Sequence, residues 1–159
     1  MNRPPVVAVV GGSTCSDEEA MWGHAVGRGL AAAGAIIVCG GGKGVMEAAC
    51  RGAAEAGGLT VGFLPGAGLN EANPFLTLAV PTGLGEARNV LVARTGQALI
   101  AIGGGYGTLS EIALGLRLGR AVIGLGTWEA TAPEGRRAEI TTANTPEEAV
   151  ALAMKRTGG

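Results

Sequence analysis

Ile100-Ala101-Ile102-Gly103-Gly104-Gly105-Tyr106-Gly107-Thr108-Leu109-Ser110-Glu111 is the stretch on which the reading of the fold turns. An apolar run over residues 97–102 stops in glycines, and the glycines open a helical pattern over residues 108–118 that Gly119 ends. A buried strand that feeds a helix through a tight turn is half of a βαβ unit, and such units close parallel sheets. The same device stands earlier in the chain. A strand over residues 35–39 enters the turn Gly40-Gly41-Gly42-Lys43-Gly44, and a helix follows from Val45 to about Ala56. Two occurrences so far apart mark a reused supersecondary unit, not a solenoid repeat.

Outward from these two turns, short β-branched runs alternate with Ala-rich amphipathic stretches. Residues 6–10 read as the first strand, ending at Gly11-Gly12, and Ser16-Asp17-Glu18-Glu19 supplies a capping box for a helix reaching Gly34. A third strand covers 59–64, a Gly/Asn/Pro loop 65–74, and a fourth strand 75–80, stopped by Pro81. A helix carries Glu86-Ala87-Arg88-Asn89, and a sixth strand covers 121–125. After an irregular stretch over 126–144, Thr145-Pro146-Glu147-Glu148 caps a last helix whose face of Ala149, Leu152 and Ala153 docks on the sheet. The expectation is an α/β fold: a single Rossmann-like, doubly wound parallel sheet flanked by helices, with residues 1–159 as one domain.

Composition agrees and excludes some functions. Hydrophobic residues make up 47% of the 159 but aromatics only 3%, so the core is built from Val, Ile, Leu and Ala. A formal net charge of -1 offers no basic footprint for nucleic-acid phosphates or anionic lipid. Expected partners are therefore neither nucleic acid nor membrane. Cys15, Cys39 and Cys50 form no C-x-x-C pair, and an odd count without a secretory signal fits a reducing, cytoplasmic setting. The apolar run after Met1-Asn2-Arg3-Pro4-Pro5 is too short for a signal peptide or a membrane span.

Glycines between a strand and a helix permit positive φ, let a ligand approach the backbone, and aim free N–H groups at it. The helix dipole adds positive potential, and a hydroxyl such as that of Thr108 adds a donor. The candidate phosphate contacts are Gly104, Gly105, Tyr106, Gly107 and Thr108 in one turn, and Gly41, Gly42, Lys43 and Gly44 in the other. Gly12 and Ser13, after the first strand, join them. The plain alternative is that the glycines serve packing alone. Neither turn reads G-x-G-x-x-G, and Lys43 is followed by Gly44 where a Walker A loop needs Ser or Thr. There is no G-x-S-x-G elbow and no metal-ligand cluster, and His24, the one histidine, reads as structural. Glu111 lies one turn after Thr108, either in reach of a bound ligand or simply complementing the helix dipole. Arg88 poses a similar choice between a phosphate contact and a solvated helix face.

The segment 85–126, with Glu86-Ala87-Arg88-Asn89 and Gly103-Gly104-Gly105-Tyr106-Gly107-Thr108-Leu109-Ser110-Glu111, resembles the LOG-like family, whose mark is P-G-G-x-G-T-x-x-E. Residues 40–47 look like that family's other glycine turn. Within the family the A-R-N variant is similar to the branch that includes the molybdenum cofactor carrier proteins. The resemblance implies a homo-oligomer, a dimer or a dimer of dimers, that binds a phosphorylated small molecule at the turns. The ligand it suggests is a nucleotide, phosphate or molybdenum cofactor, with no further cofactor and no metal required. LOG-type members hydrolyse the N-glycosidic bond of nucleoside 5′-monophosphates, and by position Arg88 and Glu111 are the catalytic pair. Two departures bear on that chemistry. Ile102 stands where the LOG turn opens with proline, and Asn89 replaces the lysine after the LOG arginine, which changes the charge facing an anionic ligand.

Overall fold

Strands β1 (Val6–Gly11), β2 (Ile36–Cys39), β3 (Thr60–Leu64), β4 (Leu78–Pro81), β5 (Ala98–Ile102), β6 (Ala121–Leu125) and β7 (Ile140–Thr142) form one sheet in the computed structural model, which describes residues 2–158. Their order is β4-β3-β2-β1-β5-β6-β7, and every neighbouring pair runs parallel. Helices α1 (Asp17–Ala32), α2 (Val45–Glu55), α3 (Asn89–Thr95), α4 (Tyr106–Arg117) and α5 (Pro146–Lys155) cover it, and a 3-10 turn (Gly85–Arg88) runs into α3. This is the expected α/β Rossmann-like fold.

Alternation along the strands builds two cores. Val7, Val9, Ala98, Ile100, Ile102, Ile123 and Leu125 face Val26 and Leu30 of α1, Ala49 and Ala53 of α2, and Ala149 and Ala153 of α5. Their neighbours Ala8, Val10, Leu99, Ala101 and Val122 face Val92 and Ala93 of α3 and Ile112 of α4. A strand covered on both faces must be apolar throughout, which is why β1 and β5 read as unbroken hydrophobic runs. The docking face of α5 is as expected, with Leu152 partly buried beside Ala149 and Ala153.

Element ends shift by one or two residues from the sequence reading, as where α4 starts at Tyr106 and not Thr108 and α1 ends at Ala32 and not Gly34, and three differences are larger or change an assignment. The fourth strand starts at Leu78, not Phe75, because Phe75 and Leu76 turn inward onto Cys39, Met46 and Cys50. Pro81 belongs to the strand, paired with Leu64, and is tolerated because β4 is an edge. A seventh strand, Ile140–Thr142, lies in the stretch read as irregular; three residues, mostly exposed, carry no periodicity.

The chain leaves β1 toward β2, β3 and β4, then returns to β1's other side at β5. The connections after β1 and β5 therefore diverge to opposite faces, α1 to one and α4 to the other. The crevice opened beyond their carboxyl ends is where open α/β sheets place ligands. Among the described residues, no helix is long and apolar enough to cross a membrane.

Candidate functional site

Two helices of the sheet's first face begin in closed caps. Ser16 Oγ accepts the Glu19 N–H at 3.1 Å at the start of α1, and Thr145 Oγ1 accepts the Glu148 N–H at 3.1 Å at the start of α5, each with acids in the first turn. Helix α4 begins differently. Its N-cap is Gly105, no side chain caps it among the described residues, and its first turn holds no acid. The N–H groups of that turn and the positive end of the helix dipole are left for something else.

They face a cavity of about 510 Å³ at the β1/β5 switch point. Gly12, Ser13 and Thr14 line it from the end of β1, Gly105, Tyr106, Gly107, Thr108 and Glu111 from α4, and Arg88 and Asn89 from the start of α3. Nine of the sequence candidates thus meet on one cavity. Gly104 stands just behind its rim at φ 100°, where a Cβ would collide with the Thr108 side chain, so only glycine lets the turn close this tightly.

Arg88 is half-buried and held from two sides. Its Nη1 donates to Asn89 Oδ1, and Asn89 Nδ2 donates in turn to Ser110 Oγ at 3.0 Å, which ties the arginine to α4. Gly40 makes room for the guanidinium, since a Cβ there would lie 2.9 Å from Arg88 Nη2. The Nε of Arg88 is buried without a hydrogen-bond partner among the described residues. A buried cationic donor left unpaired is costly and marks a place where an acceptor fits.

Glu111 is 6% exposed, and burial pushes its carboxyl up to about 8 against the opposing pull of the Arg88 guanidinium. At neutral pH it is a neutral acid. The Arg88 charge is then uncompensated by it, and the inner cavity is positive, with the Glu86 carboxylate exposed on the rim.

The remaining candidates lie elsewhere. Gly41, Gly42 and Lys43 do not line this cavity, and Lys43 is exposed. Gly44 lines a separate depression of about 940 Å³ across the β1–α1 connection. Asp17, Glu47 and Arg51 stand on the walls of that depression, and Arg51 is paired with Glu55 at 3.5 Å, so the carboxylates leave no net positive field there for an anion. His24 stands there too, its Nε2 2.7 Å from Glu55 Oε2, a structural tie between α1 and α2. Among the described residues, no group of three or more His, Cys, Asp or Glu is placed to hold a metal ion.

Sequence reasoning missed two residues that shape the glycine turn. Thr127 Oγ1 donates to the Gly103 carbonyl at 2.6 Å, and Trp128 Nε1 donates to the Gly105 carbonyl at 3.0 Å. Trp128 also stacks on Tyr106, centroids 5.9 Å apart and planes 27° apart. Both residues lie in the stretch read as irregular; the one available signal was a tryptophan in a chain so poor in aromatics.

The chain is an α/β protein of Rossmann-like fold, with an uncapped glycine-rich helix start and Arg88 on one cavity at the sheet's switch point. Residues 4–150 match the model of the SLOG cluster4 family, and the chain belongs to that family. It is 40% identical over 144 residues to an uncharacterized protein of Archaeoglobus fulgidus, covering 91% of each chain. Among solved structures it resembles the molybdenum cofactor binding protein of Rippkaea orientalis, with TM-score 0.87 and 32% identity over 96% of this chain and 97% of that one. It also resembles the molybdenum cofactor carrier protein of Chlamydomonas reinhardtii, with TM-score 0.84 and 30% identity over 99% of this chain and 100% of that one.

Proposed function

We propose that the chain binds a phosphate-bearing, nucleotide-like small molecule in the β1/β5 cavity, with molybdenum cofactor as the leading ligand, and carries it without altering it. The observation that carries this reading is the open start of α4 facing the unpaired Nε of Arg88. The N–H groups of Gly105, Gly107 and Thr108, the Thr108 hydroxyl and the Arg88 guanidinium supply the phosphate donors. Gly12 and Ser13 bring backbone from β1 to the other wall. A neutral Glu111 removes the like charge that would repel the anion. The likeness to two proteins named for binding or carrying molybdenum cofactor supports the choice of ligand.

Titration calorimetry with a pterin phosphate, AMP and inorganic phosphate tests the reading. Binding is expected for all three, and Arg88→Met weakens it about 10- to 100-fold, the worth of a charge-assisted hydrogen bond. Binding of none of them overturns it.

A second reading, a nucleoside 5′-monophosphate phosphoribohydrolase, is favoured by one observation: Arg88 and Glu111 line the same cavity. A carboxylate there stabilises an oxocarbenium-like transition state only once ionised. With Glu111 pushed up to about 8, that activity rises with pH toward and above neutrality. Free base released from AMP equally by the wild type and Glu111→Ala eliminates it.

We further propose that the chain is a homo-oligomer. In β3 and β4 the register sets Val61 beside Leu78 and Phe63 beside Val80, and Leu78 is exposed. Val61 and Phe63 are partly buried against the second core, and with no helix between β3 and β4 in the chain among the described residues, Leu78 is left uncovered on the edge strand. Native mass spectrometry reads the assembly directly, and Leu78→Asp is expected to dissociate it.

A further inference from the structure

The chain has two tryptophans, one tyrosine and two phenylalanines, and of these five rings two stack on each other, Tyr106 lining the β1/β5 cavity and Trp128 lying against it from outside that lining. Trp22 packs into the core beside Gly126, and Phe63 and Phe75 are partly buried against other clusters. Tyr106 is 84% exposed, the most exposed large apolar side chain among the described residues. A ring of that size left in water forgoes its burial energy, so its exposure asks for a function.

The ring is nevertheless held in place. Trp128 lies against it, and Trp128 is fixed by the bond from its indole N–H to the carbonyl of Gly105, the N-cap of α4. Tyr106 is the first residue of the same helix. The ring and the free N–H groups thus share one turn, with the ring's orientation already chosen.

Resting on the anion-site reading above, we infer that Tyr106, braced by Trp128, is a stacking platform that selects phosphates carrying a planar heteroaromatic ring over phosphates carrying only a sugar. The phosphate end of such a molecule sits on the α4 start and its ring lies on the phenol face. Stacking of a base on an aromatic side chain is worth about ten- to a hundredfold in affinity. It asks for a flat π-face and not for a particular hydrogen-bond pattern, so the platform is tolerant among heterocycles. Trp128 acts as a positioning residue.

Calorimetry on the wild type, Tyr106→Phe and Tyr106→Ala, each with AMP, a pterin phosphate, ribose 5-phosphate and inorganic phosphate, separates the possibilities. The expected result is that the wild type and Tyr106→Phe bind the two ring-bearing phosphates at least tenfold more tightly than ribose 5-phosphate. In Tyr106→Ala that advantage collapses while the affinities for ribose 5-phosphate and inorganic phosphate hold. An advantage that survives in Tyr106→Ala, or is missing in the wild type, overturns the platform and leaves the anion site standing. Failure of inorganic phosphate and every other probe to bind overturns both. Native mass spectrometry of Tyr106→Ala completes the test: dissociation of an oligomer by this substitution makes the ring a subunit contact and overturns the platform.

Discussion

Two turns of nearly the same sequence, residues 40–44 and 103–107, end up with opposite surroundings. In the first, the Gly41 N–H and the Gly41 and Gly42 carbonyls are taken by the protein. The Gly41 N–H donates to Cys39 Sγ at 3.3 Å, and Asn73 donates to the Gly41 carbonyl from its backbone and to the Gly42 carbonyl from Nδ2. Even the first N–H of α2, on Val45, donates to the Gly12 carbonyl at 3.1 Å. In the second turn Thr127 and Trp128 hold the Gly103 and Gly105 carbonyls and the Gly103 N–H donates to the Leu125 carbonyl at 3.3 Å, while Gly105 and Gly107 at the helix start line the cavity with no side-chain cap. Glycines between strand and helix make a tight turn in both cases; where the donors end up decides whether it is a strut or a cradle.

Substitutions that separate the two roles rank from there. The largest effect is expected from Gly44→Ala. Gly44 has φ 67°, and a Cβ would collide with the Gly12 carbonyl oxygen, so the change forces both strained backbone and a clash with the neighbouring connection. A loss of more than about 3 kcal/mol in urea unfolding is expected. A loss below about 1 kcal/mol would show that the strut yields and that the first turn does not hold the neighbouring connection in place.

Next comes Glu111→Gln, which acts beside the cradle and has the opposite sign. The folded carboxyl is pushed up to about 8 from an ordinary 4.5, so between those values the folded state holds a proton that the unfolded chain has released. Stability is then fully present below pH 4.5 and falls as pH rises toward 8, by about 3 kcal/mol at pH 7. The glutamine variant removes that slope and is more stable than the wild type at neutral pH. Phosphate affinity tells the same story, since the wild type weakens as pH climbs through 8 and Glu111→Gln does not.

Much of this was legible beforehand. The unbroken apolar runs of β1 and β5 announced a sheet covered on both faces, and the glycine stops located the crevice. Gly107, Thr108 and Glu111 fell at helical spacing, and the A-R-N triplet brought Arg88 to the same place. What could not be read is long-range. Nothing local distinguishes Lys43, exposed beside a filled turn, from Arg88, folded under Gly40. The filling of the first turn depends on Asn73, about thirty residues on, in a loop with no periodicity. Thr127 and Trp128 reach the second turn from the other side of β6 by the same kind of unpatterned contact.

Asn73→Ala tests that dependence at moderate cost. Asn73 is 5% exposed, its Nδ2 donates to the Gly42 carbonyl at 3.0 Å, and its Oδ1 accepts the Phe75 N–H at 3.0 Å. Removing the side chain leaves two inner backbone groups unpaired, for which about 2 kcal/mol of stability is expected. Phosphate affinity of the folded variant should stay at the wild-type value. A parallel loss of affinity would mean that the first turn also contacts the ligand, and the division of labour between the turns would fail.

The smallest change in stability belongs to Gly107→Ala, and it is the sharpest probe of the cradle. Gly107 lies in the first turn of α4, its backbone is not in the left-handed region, and a Cβ there meets nothing within 4 Å. Alanine therefore fits the fold and favours the helix, by about 0.5 kcal/mol. Yet the residue lines the cavity, so the added methyl occupies space that a phosphate on the free N–H groups would need. A variant that unfolds slightly later than the wild type but binds phosphate severalfold more weakly is what a cradle requires. Because Gly44→Ala loses stability for reasons of packing while Gly107→Ala gains it, a loss of binding in the latter cannot come from unfolding. Unchanged affinity in Gly107→Ala would remove the anion from this turn and return both sets of glycines to packing.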